Sequence, residues 1–540
     1  MSEEKELPSG WSETTIGSVA IVNPRVDVSA IADSTLVSFV PMAEVEAGTG
    51  RINTLTHRRI NEVKRGYTAF LDGDVLFAKI TPCMENGKAA VVRSLISGIG
   101  FGSTEFHVLR PREGVDSQLL YYYVSQESFR RTARTYMTGS AGQLRVPAIF
   151  LSNFFYPLPP LAEQRRIVSA IEQQFSRLDA GVAALQQAKA KLKRYRAAVL
   201  KAAVEGKLTE TWRAEHPTIE PASQLLERIL KERRAKWEAD QMRKMQEDNK
   251  YFKDEKWKQK YEEPEKPNMH KLSDLPESWI WTNIQSLTLG RPQNGLYLPQ
   301  SAYGKGTPIL RIDDFQDGFS RSSSQLRLVD AKSEDLGKYS LSEGNLVINR
   351  VNSMSHLGKC LLVSARNIPA LFESNMMRLR LSNLVNAQFT EIYLRSASGK
   401  NRLTSNAKWA VNQASINQTD INNTLIPLPP LIEQQQICVV VEEYLSIISQ
   451  LEIIVETNLK RAERLRQSIL YQAFAGRLVP QDPTDEPASV LLERIRNERN
   501  NQKNNIEASI KKNRSVKVPE SVAIDVVDAE QAELWESVGN

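Results

Sequence analysis

Side chains able to do covalent, metal or phosphate chemistry are present in this 540-residue chain, but their spacing does not arrange them for it. Six Gly-Lys pairs occur and none is followed by Ser or Thr, so there is no phosphate-cradling Walker A loop. Gly98-Ile-Gly-Phe-Gly102 has close glycines without the strand–helix setting of a dinucleotide loop, and reads as a turn. Neither Pro-Pro pair follows Asn or Asp, so the amino-methyltransferase tetrapeptide is absent. His57, His107, His216, His270 and His356 show no ligand spacing. Cys83, Cys360 and Cys438 lie far apart, which excludes a disulfide framework and a Cys-based zinc site, and they read as packing residues. Asp330-Ala331-Lys332 is a nuclease-like triplet of a kind common by chance. No Ser or Cys has an activating context. Together these absences favour a binding or scaffold protein over an enzyme.

The elements that would carry a binding surface come from a duplication. Leu-Pro-Ser-Gly-Trp (7–11) returns as Leu-Pro-Glu-Ser-Trp (275–279). Tyr-Pro-Leu-Pro-Pro-Leu-Ala-Glu-Gln (156–164) returns as Ile-Pro-Leu-Pro-Pro-Leu-Ile-Glu-Gln (426–434). Ala-Val-Glu-Gly-Lys-Leu (203–208) matches Ala-Phe-Ala-Gly-Arg-Leu (473–478), and Glu-Pro-Ala-Ser (220–223) matches Glu-Pro-Ala-Ser (486–489). The offsets are nearly constant, and each copy is far longer than a solenoid repeat. Each reads as a globular domain, a long helix and a charged segment. The implied divisions are 1–160, 161–213, 214–272, 273–430, 431–478 and 479–540.

Regions 1–160 and 273–430 are strand-rich mixed α/β, with short β-type runs between Gly, Asn, Asp and Pro turns. Asp74–Ile80 and Asn345–Val351 are corresponding strands, each followed by a polar loop ending in Gly-Lys. Helical stretches follow over Gln118–Arg134 and Ala387–Leu403. The next loops diverge: 137–145 reads MTGSAGQLR and 404–412 reads TSNAKWAVN.

The long helices show a coiled-coil seam. Positions 171, 175, 178, 182, 185, 189, 192, 196, 199 and 203 alternate steps of four and three, and are apolar except Lys189 and Arg196. Adding 270 gives the same register, interrupted by Glu452 and Arg466. Pro-Pro pairs prepare the helix starts, and Gly206 and Gly476 sit where left-handed caps belong. Two rods sharing a register most simply pack together. Segment 214–272 mixes 14 basic and 13 acidic residues with Trp237, Tyr251, Phe252, Trp257 and Tyr261, and reads as a solvated helix and linker ending at the turn Pro264–Asn268. The tail is acidic, and its composition suggests partial disorder from about position 500.

The net charge of +6 is nearly balanced for this length and alone implies no partner. Its distribution is uneven. The segment 161–213 holds 11 basic and 5 acidic groups, including Arg165, Arg166, Lys189, Lys191, Lys193, Arg194 and Arg196. Domain 273–430 holds 16 and 12, while 1–160 is neutral at 16 and 16. A solvated helix face and a phosphate-tracking face both fit the first helix. No apolar run reaches membrane-spanning length and the first residues lack a signal-peptide core, so a cytoplasmic chain is expected.

Two variable domains, each opening near Leu-Pro-x-x-Trp and closing in Pro-Leu-Pro-Pro-Leu-x-Glu-Gln before a long helix that ends in Gly-Lys/Arg-Leu, closely resemble the specificity subunit of type I restriction–modification enzymes. The resemblance covers roughly 7–213 and 275–478. It implies an α+β fold of two similar target recognition domains separated by two long helices that form an antiparallel coiled coil. It implies a non-catalytic chain whose domains each read one half of a bipartite, asymmetric double-stranded DNA target. Methyltransferase (modification) subunits and restriction/translocase subunits would dock on it. S-adenosylmethionine, ATP and Mg would reside on those partners, with no cofactor or metal here.

Arg or Lys suits guanine, and Asn or Gln suits adenine. The first domain's candidate readers are therefore Lys79, Thr81, Asn86 and Lys88 after the Gly-Asp strand, with Tyr136, Ser140, Gln143 and Arg145. In the second they are Arg350, Asn352, Ser353, His356 and Lys359, then Lys408, Trp409, Asn412 and Gln413. Arg291, Gln293, Asn294 and Tyr297, in a Gly-rich loop, join them. Each could instead be a surface polar residue or turn former. A coiled-coil protein-interaction scaffold and an enzyme with an unfamiliar site are the rival readings. If the helices act as a ruler, one heptad inserted into both should lengthen the DNA spacer tolerated in methylation mapping; an unchanged spacer would refute it.

Overall fold

The computed structural model describes residues 7–514 except 141, 248–253, 268–271, 317, 411 and 412. Tyr251, Phe252, Asn268, His270, Asn412 and residues 515–540 therefore lie outside the described residues. The chain divides into two compact units: Met1–Ala183 with Leu459–Asn540, and Ala184–Asn458. Each contains one globular copy, the start of its own long helix and the end of the other copy's helix.

In the first unit, the strand Val75–Ala78 reads VLFA and is buried throughout, because its two faces serve two cores. Val75 and Phe77 point into a core shared with the helix Ser117–Val124, while Leu76 and Ala78 join Val40, Phe70 and Phe106 in another. The period-2 alternation of a strand produces that division. The strand lies in an antiparallel sheet of order Ala20–Val22, Phe106–Pro111, Val75–Ala78, Ala89–Val91. A second sheet orders Thr56–Arg59, Leu36–Val40, Ile99–Gly102, Thr68–Leu71 and contains one parallel pair.

The second unit repeats the plan. Leu346–Asn349 lies between Met376–Leu379 and Cys360–Leu362, with Gln293–Asn294 at the edge. Leu346 and Ile348 enter one core and Val347 the other. A separate ladder pairs Ser12–Thr15 with Phe155–Leu158, and Ile280–Asn283 with Leu425–Leu428. Ser12 faces Leu158 as Ile280 faces Leu428, so the register is preserved between copies.

Three expectations need correction. The Gly98–Gly102 stretch is not a turn, because Ile99–Gly102 is a strand paired on both sides in the second sheet. The helical stretches after the central strands are each broken, into Ser117–Val124 and Glu127–Thr135, and into Ala387–Arg395 and Ala397–Leu403. In the second unit, Ser396 causes the break: its hydroxyl accepts the Gly399 N–H at 3.1 Å and donates to the Tyr393 carbonyl at 2.6 Å, starting a new helix. The charged segments are also less solvated than their composition suggests. Helix Ala222–Glu247 buries Ala222, Leu225 and Ile229, and helix Ala488–Arg514 buries Ala488, Leu491, Leu492 and Ile495. The latter runs helical past position 500, because its first turns are anchored in the core of the first unit.

The long helices are Leu161–Val204 and Leu431–Phe474, 44 residues each. Every seam position named above is at least partly buried except Lys189. The charged interruptions are paired across the helices. In the second unit, Arg196 donates to Ser449 at 3.1 Å and to Glu452 at 2.8 Å, and Lys189 pairs with Glu456 at 2.8 Å. In the first, Arg466 pairs with Asp179 and stacks over Phe175. Lys207 N–H to Ala202 carbonyl and Arg477 N–H to Gln472 carbonyl close both helices as Schellman caps, with Gly206 at φ +71° and Gly476 at φ +66°.

All four repeated motifs meet at one knot per unit. In the second, Trp279 donates its indole N–H to Glu433 at 2.8 Å, Thr209 donates to the same carboxylate at 2.7 Å, and Arg213 at 2.9 Å. The neighbouring Gln434 accepts the Asn386 N–H and donates to the Pro429 carbonyl, both at 2.8 Å. A Cβ on Gly206 would lie 2.7 Å from Pro276 Cγ, so that position must stay bare. The Ala222 N–H reaches the Ser278 carbonyl at 3.0 Å. The first unit repeats this with Trp11 to Glu163 at 3.0 Å, Gln164 on Asp116 and Pro159, Gly476 against Pro8, and Ala488 on Gly10. There Gln481, at 3.2 Å, stands where Thr209 and Arg213 act, so that carboxylate has no cation in direct contact. Burial pushes the Glu163 carboxyl upward, and its bonds to Gln481 and Trp11 only partly offset this.

Removing Glu433 strands a half-buried guanidinium, an indole N–H and a hydroxyl. Glu433→Ala should cost about 3–5 kcal/mol in denaturant unfolding of the second unit. Glu163→Ala should cost less, about 1–3 kcal/mol. Equal costs would refute the asymmetry between the knots.

Candidate nucleic-acid interface

The structure brings the two polar stretches of each globular domain side by side. In the first, the Val146 N–H bonds the Lys79 carbonyl at 2.9 Å, the Thr81 N–H bonds the Leu144 carbonyl at 3.0 Å, and Arg145 bridges to both Ile80 and Thr138. The loop 79–88 and the hairpin 137–146 thus form one surface. In the second, the Ile416 N–H bonds the Arg350 carbonyl at 2.9 Å, and Val351–Asn352 pairs with Gln413–Ser415, itself paired with Lys408–Ala410. Arg291–Tyr297 joins from the sheet edge, where Gln293 lies opposite Arg378 and Asn294 opposite Met377.

The individual side chains divide into presented and internally used groups. Asn86, Tyr136, Ser140, Gln143, Asn294, Tyr297, His356, Lys408, Trp409 and Gln413 are exposed, with Tyr297 at 78% and Trp409 at 72%. Tyr136 packs on Phe150, ring centroids 5.0 Å apart. Arg145 forms a bidentate pair with Glu105 at 2.8 and 2.9 Å, which lowers the Glu105 pKa and raises that of Arg145. The hydroxyl of Thr81 accepts the Leu144 N–H at 3.2 Å. Arg291 pairs with Glu262 at 3.0 Å on the surface. Gln293 donates to the Lys338 carbonyl and accepts from Arg378. Arg350 donates to the Ser374 carbonyl at 3.2 Å. Asn352 and Ser353 bond within their own turn.

Lys88 and Lys359 are internal latches. Lys88 Nζ donates to the Met42 carbonyl at 2.8 Å, and Lys359 Nζ to the Ile312 carbonyl at 3.0 Å while lying over the Phe315 ring. Each ties the loop after the central strand to the second sheet's side of its domain, a use that competes with reading a base. The Gly-Lys spacing flagged both residues but carries no sign of this use, because the partner is a carbonyl some 46 residues earlier.

Arg25 and the strand Thr56–Arg59 add cations that no motif spacing flagged. Arg25 and Lys79 line one cleft of about 370 Å³ floored by Phe106 and Val108. Thr56–Arg59 is exposed along its whole length, with Arg58 over the Phe39 ring at 4.0 Å. A His-Arg-Arg run within a strand was the available signal. On the first long helix, Arg166 pairs with Asp485 at 2.6 Å, whereas Arg165, Lys191, Lys193 and Arg194 face solvent. Among the described residues no His, Cys, Asp and Glu group could hold a metal, and no helix is long and apolar enough to cross a membrane.

Because the latches hold loops rather than present charge, Lys88→Met and Lys359→Met should each cost about 1 kcal/mol of stability. Discrimination between bases should fall less than with Trp409→Ala. A selective loss of one base preference without destabilisation would overturn the latch assignment.

Comparison with known proteins places this architecture. Residues 294–458 match the family model for the type I restriction modification DNA specificity domain. The chain is 29% identical over 502 residues to the Escherichia coli type I restriction enzyme EcoAI specificity subunit, covering 84% of this chain and 81% of that one. It is 27% identical over 494 residues to the Escherichia coli EcoEI specificity subunit, covering 83% and 80%. Its fold matches a solved chain from work on complex assembly and conformational transition of the type I R-M system, with TM-score 0.62 at 20% identity over 87% of this chain and 99% of that one. Over most of its length the chain is similar to the specificity subunits of type I restriction enzymes.

Proposed function

We propose that each globular domain reads one half of a bipartite double-stranded DNA target through the surface formed by its strand-following loop and adjoining hairpin. The observation that carries this reading is the doubled scaffold. Equivalent backbone bonds, Val146 to Lys79 and Ile416 to Arg350, set two polar loops together in each domain, and the side chains they present differ. The first domain presents Asn86, Tyr136 and Gln143, and the second presents Lys408, Trp409 and Gln413. Different donors and acceptors select different bases, so the two half-sites differ and the target is asymmetric. Linking both domains in one chain makes binding of the second half-site intramolecular.

The chain itself is non-catalytic in this reading. Methyltransferase subunits supply S-adenosylmethionine chemistry, and restriction/translocase subunits supply ATP- and Mg-dependent steps, in the cytoplasm. The polar face of the first long helix, with Lys191, Lys193 and Arg194, offers positive charge either to spacer phosphates or to such a subunit.

Methylome sequencing of cells with and without this chain, together with neighbouring methyltransferase and restriction genes, should reveal one bipartite asymmetric motif. Trp409→Ala should weaken discrimination at one half of it about tenfold, and Gln143→Ala at the other half. Uniform loss across all sequences would assign those residues to phosphate contact, and absence of any chain-dependent motif would sink the proposal.

A further inference from the structure

The first domain's hairpin is held from beneath by one buried imidazole. His107 is 5% exposed in the strand Phe106–Pro111. Its Nε2 lies 2.7 Å from the Val146 carbonyl oxygen, which can only accept, so Nε2 carries the proton. Its Nδ1 lies 3.0 Å from Asn23 Nδ2 and 3.3 Å from Asn23 Oδ1, while that Oδ1 also accepts the Val108 N–H at 3.0 Å. The neutral ring therefore donates to the hairpin's end and accepts from Asn23, a residue at φ +53°. Through Val146, whose N–H holds the Lys79 carbonyl, this one side chain joins the segment after Ala20–Val22, the loop after Val75–Ala78 and the hairpin 137–146. Strand register places Met377 at the corresponding site of the second domain, because Phe77 faces His107 as Ile348 faces Met377. A thioether offers no comparable donor.

We infer that His107, through its bonds to Val146 and Asn23, is the positioning residue for the first recognition hairpin, and that the second domain has no counterpart. The inference rests on the DNA-reading surface proposed above. Charged groups near the ring are Lys79 on the loop, Glu105 on its own strand, Arg145 on the hairpin (clasping Glu105) and Arg25 in the cleft shared with Lys79. Burial is the main cause holding the His107 pKa below its usual range, with Lys79 assisting and the Val146 bond and Glu105 opposing. Protonation would make Nδ1 a second donor facing the Asn23 amide N–H and would bury a cation beside Lys79. The folded-state pKa is depressed, so the stabilisation is fully present above the unfolded value and is lost as pH falls through the folded one.

His107→Gln supplies an amide N–H for Val146 and an amide oxygen for Asn23 without titrating. In the full chain, hydrogen exchange across 137–146, corrected for intrinsic rates, should accelerate about tenfold between about pH 8 and about pH 5 in the wild type and stay level in His107→Gln. His107→Ala should exchange fast throughout. If it does not fold, Asn23→Gly, which removes the donor to Nδ1, should move the acid transition to higher pH. Discrimination at the first half-site should follow the same profiles, and discrimination at the second should not change. Identical pH profiles of exchange in wild type and His107→Gln would overturn the role of His107. A hairpin that loosens on acidification while first-half discrimination holds would overturn the reading surface instead.

Discussion

A carboxylate buried at the first turn of each long helix is the constraint on which the rest of this molecule depends. A carboxylate inside a protein must be hydrogen-bonded. Glu433 meets that demand with an indole, a hydroxyl and a guanidinium drawn from two separate stretches of chain. Glu163 does so with an indole and an amide. Supplying these donors fixes where the domain's entry strand begins, where the other copy's helix ends and how far the Pro-Pro turn carries the chain. The adjacent glutamine then accepts the N–H of Asp116 or Asn386, the residues that cap helices Ser117–Val124 and Ala387–Arg395. One Glu-Gln dipeptide thus couples the helix pair to the core that holds the polar loops.

The duplication, the seam, the helix starts and the glycine caps were legible in sequence because each rests on local periodicity or backbone geometry. The meeting of the motifs was not. Trp11 and Glu163, or Thr209 and Glu433, are partners across 152 and 224 residues, and nothing in either stretch alone names the other. The candidate surface was half legible. The two polar stretches were identifiable from their composition and placement, and they do adjoin. The division of their side chains into presented groups and latches was hidden, because Lys88 and Lys359 differ from a presented lysine only by a distant carbonyl. Breaks such as that at Ser396 escaped for a related reason: a hydroxyl that caps one helix looks, in sequence, like any serine inside another.

The two domains share a backbone plan and differ, among the described residues, in what ties their loops. The first hairpin is pinned by a histidine, by an arginine–carboxylate pair and by the Thr81–Leu144 exchange. The second is a strand pair bearing an exposed tryptophan. Shared strands with different loop chemistry keep the register, which depends on the main chain, while changing the side chains that the loops present.

The knots also impose a temporal order. The second unit's knot draws on residues 206–222, 276–279 and 433–434, all available once the second helix has begun to emerge from the ribosome. The first unit's knot needs Gly476, Gln481 and Ala488, which are made more than 300 residues after Glu163. At roughly 5–20 residues per second, the domain synthesised first waits some tens of seconds for the segments that complete it. During vectorial synthesis the N-terminal domain is therefore the last to close.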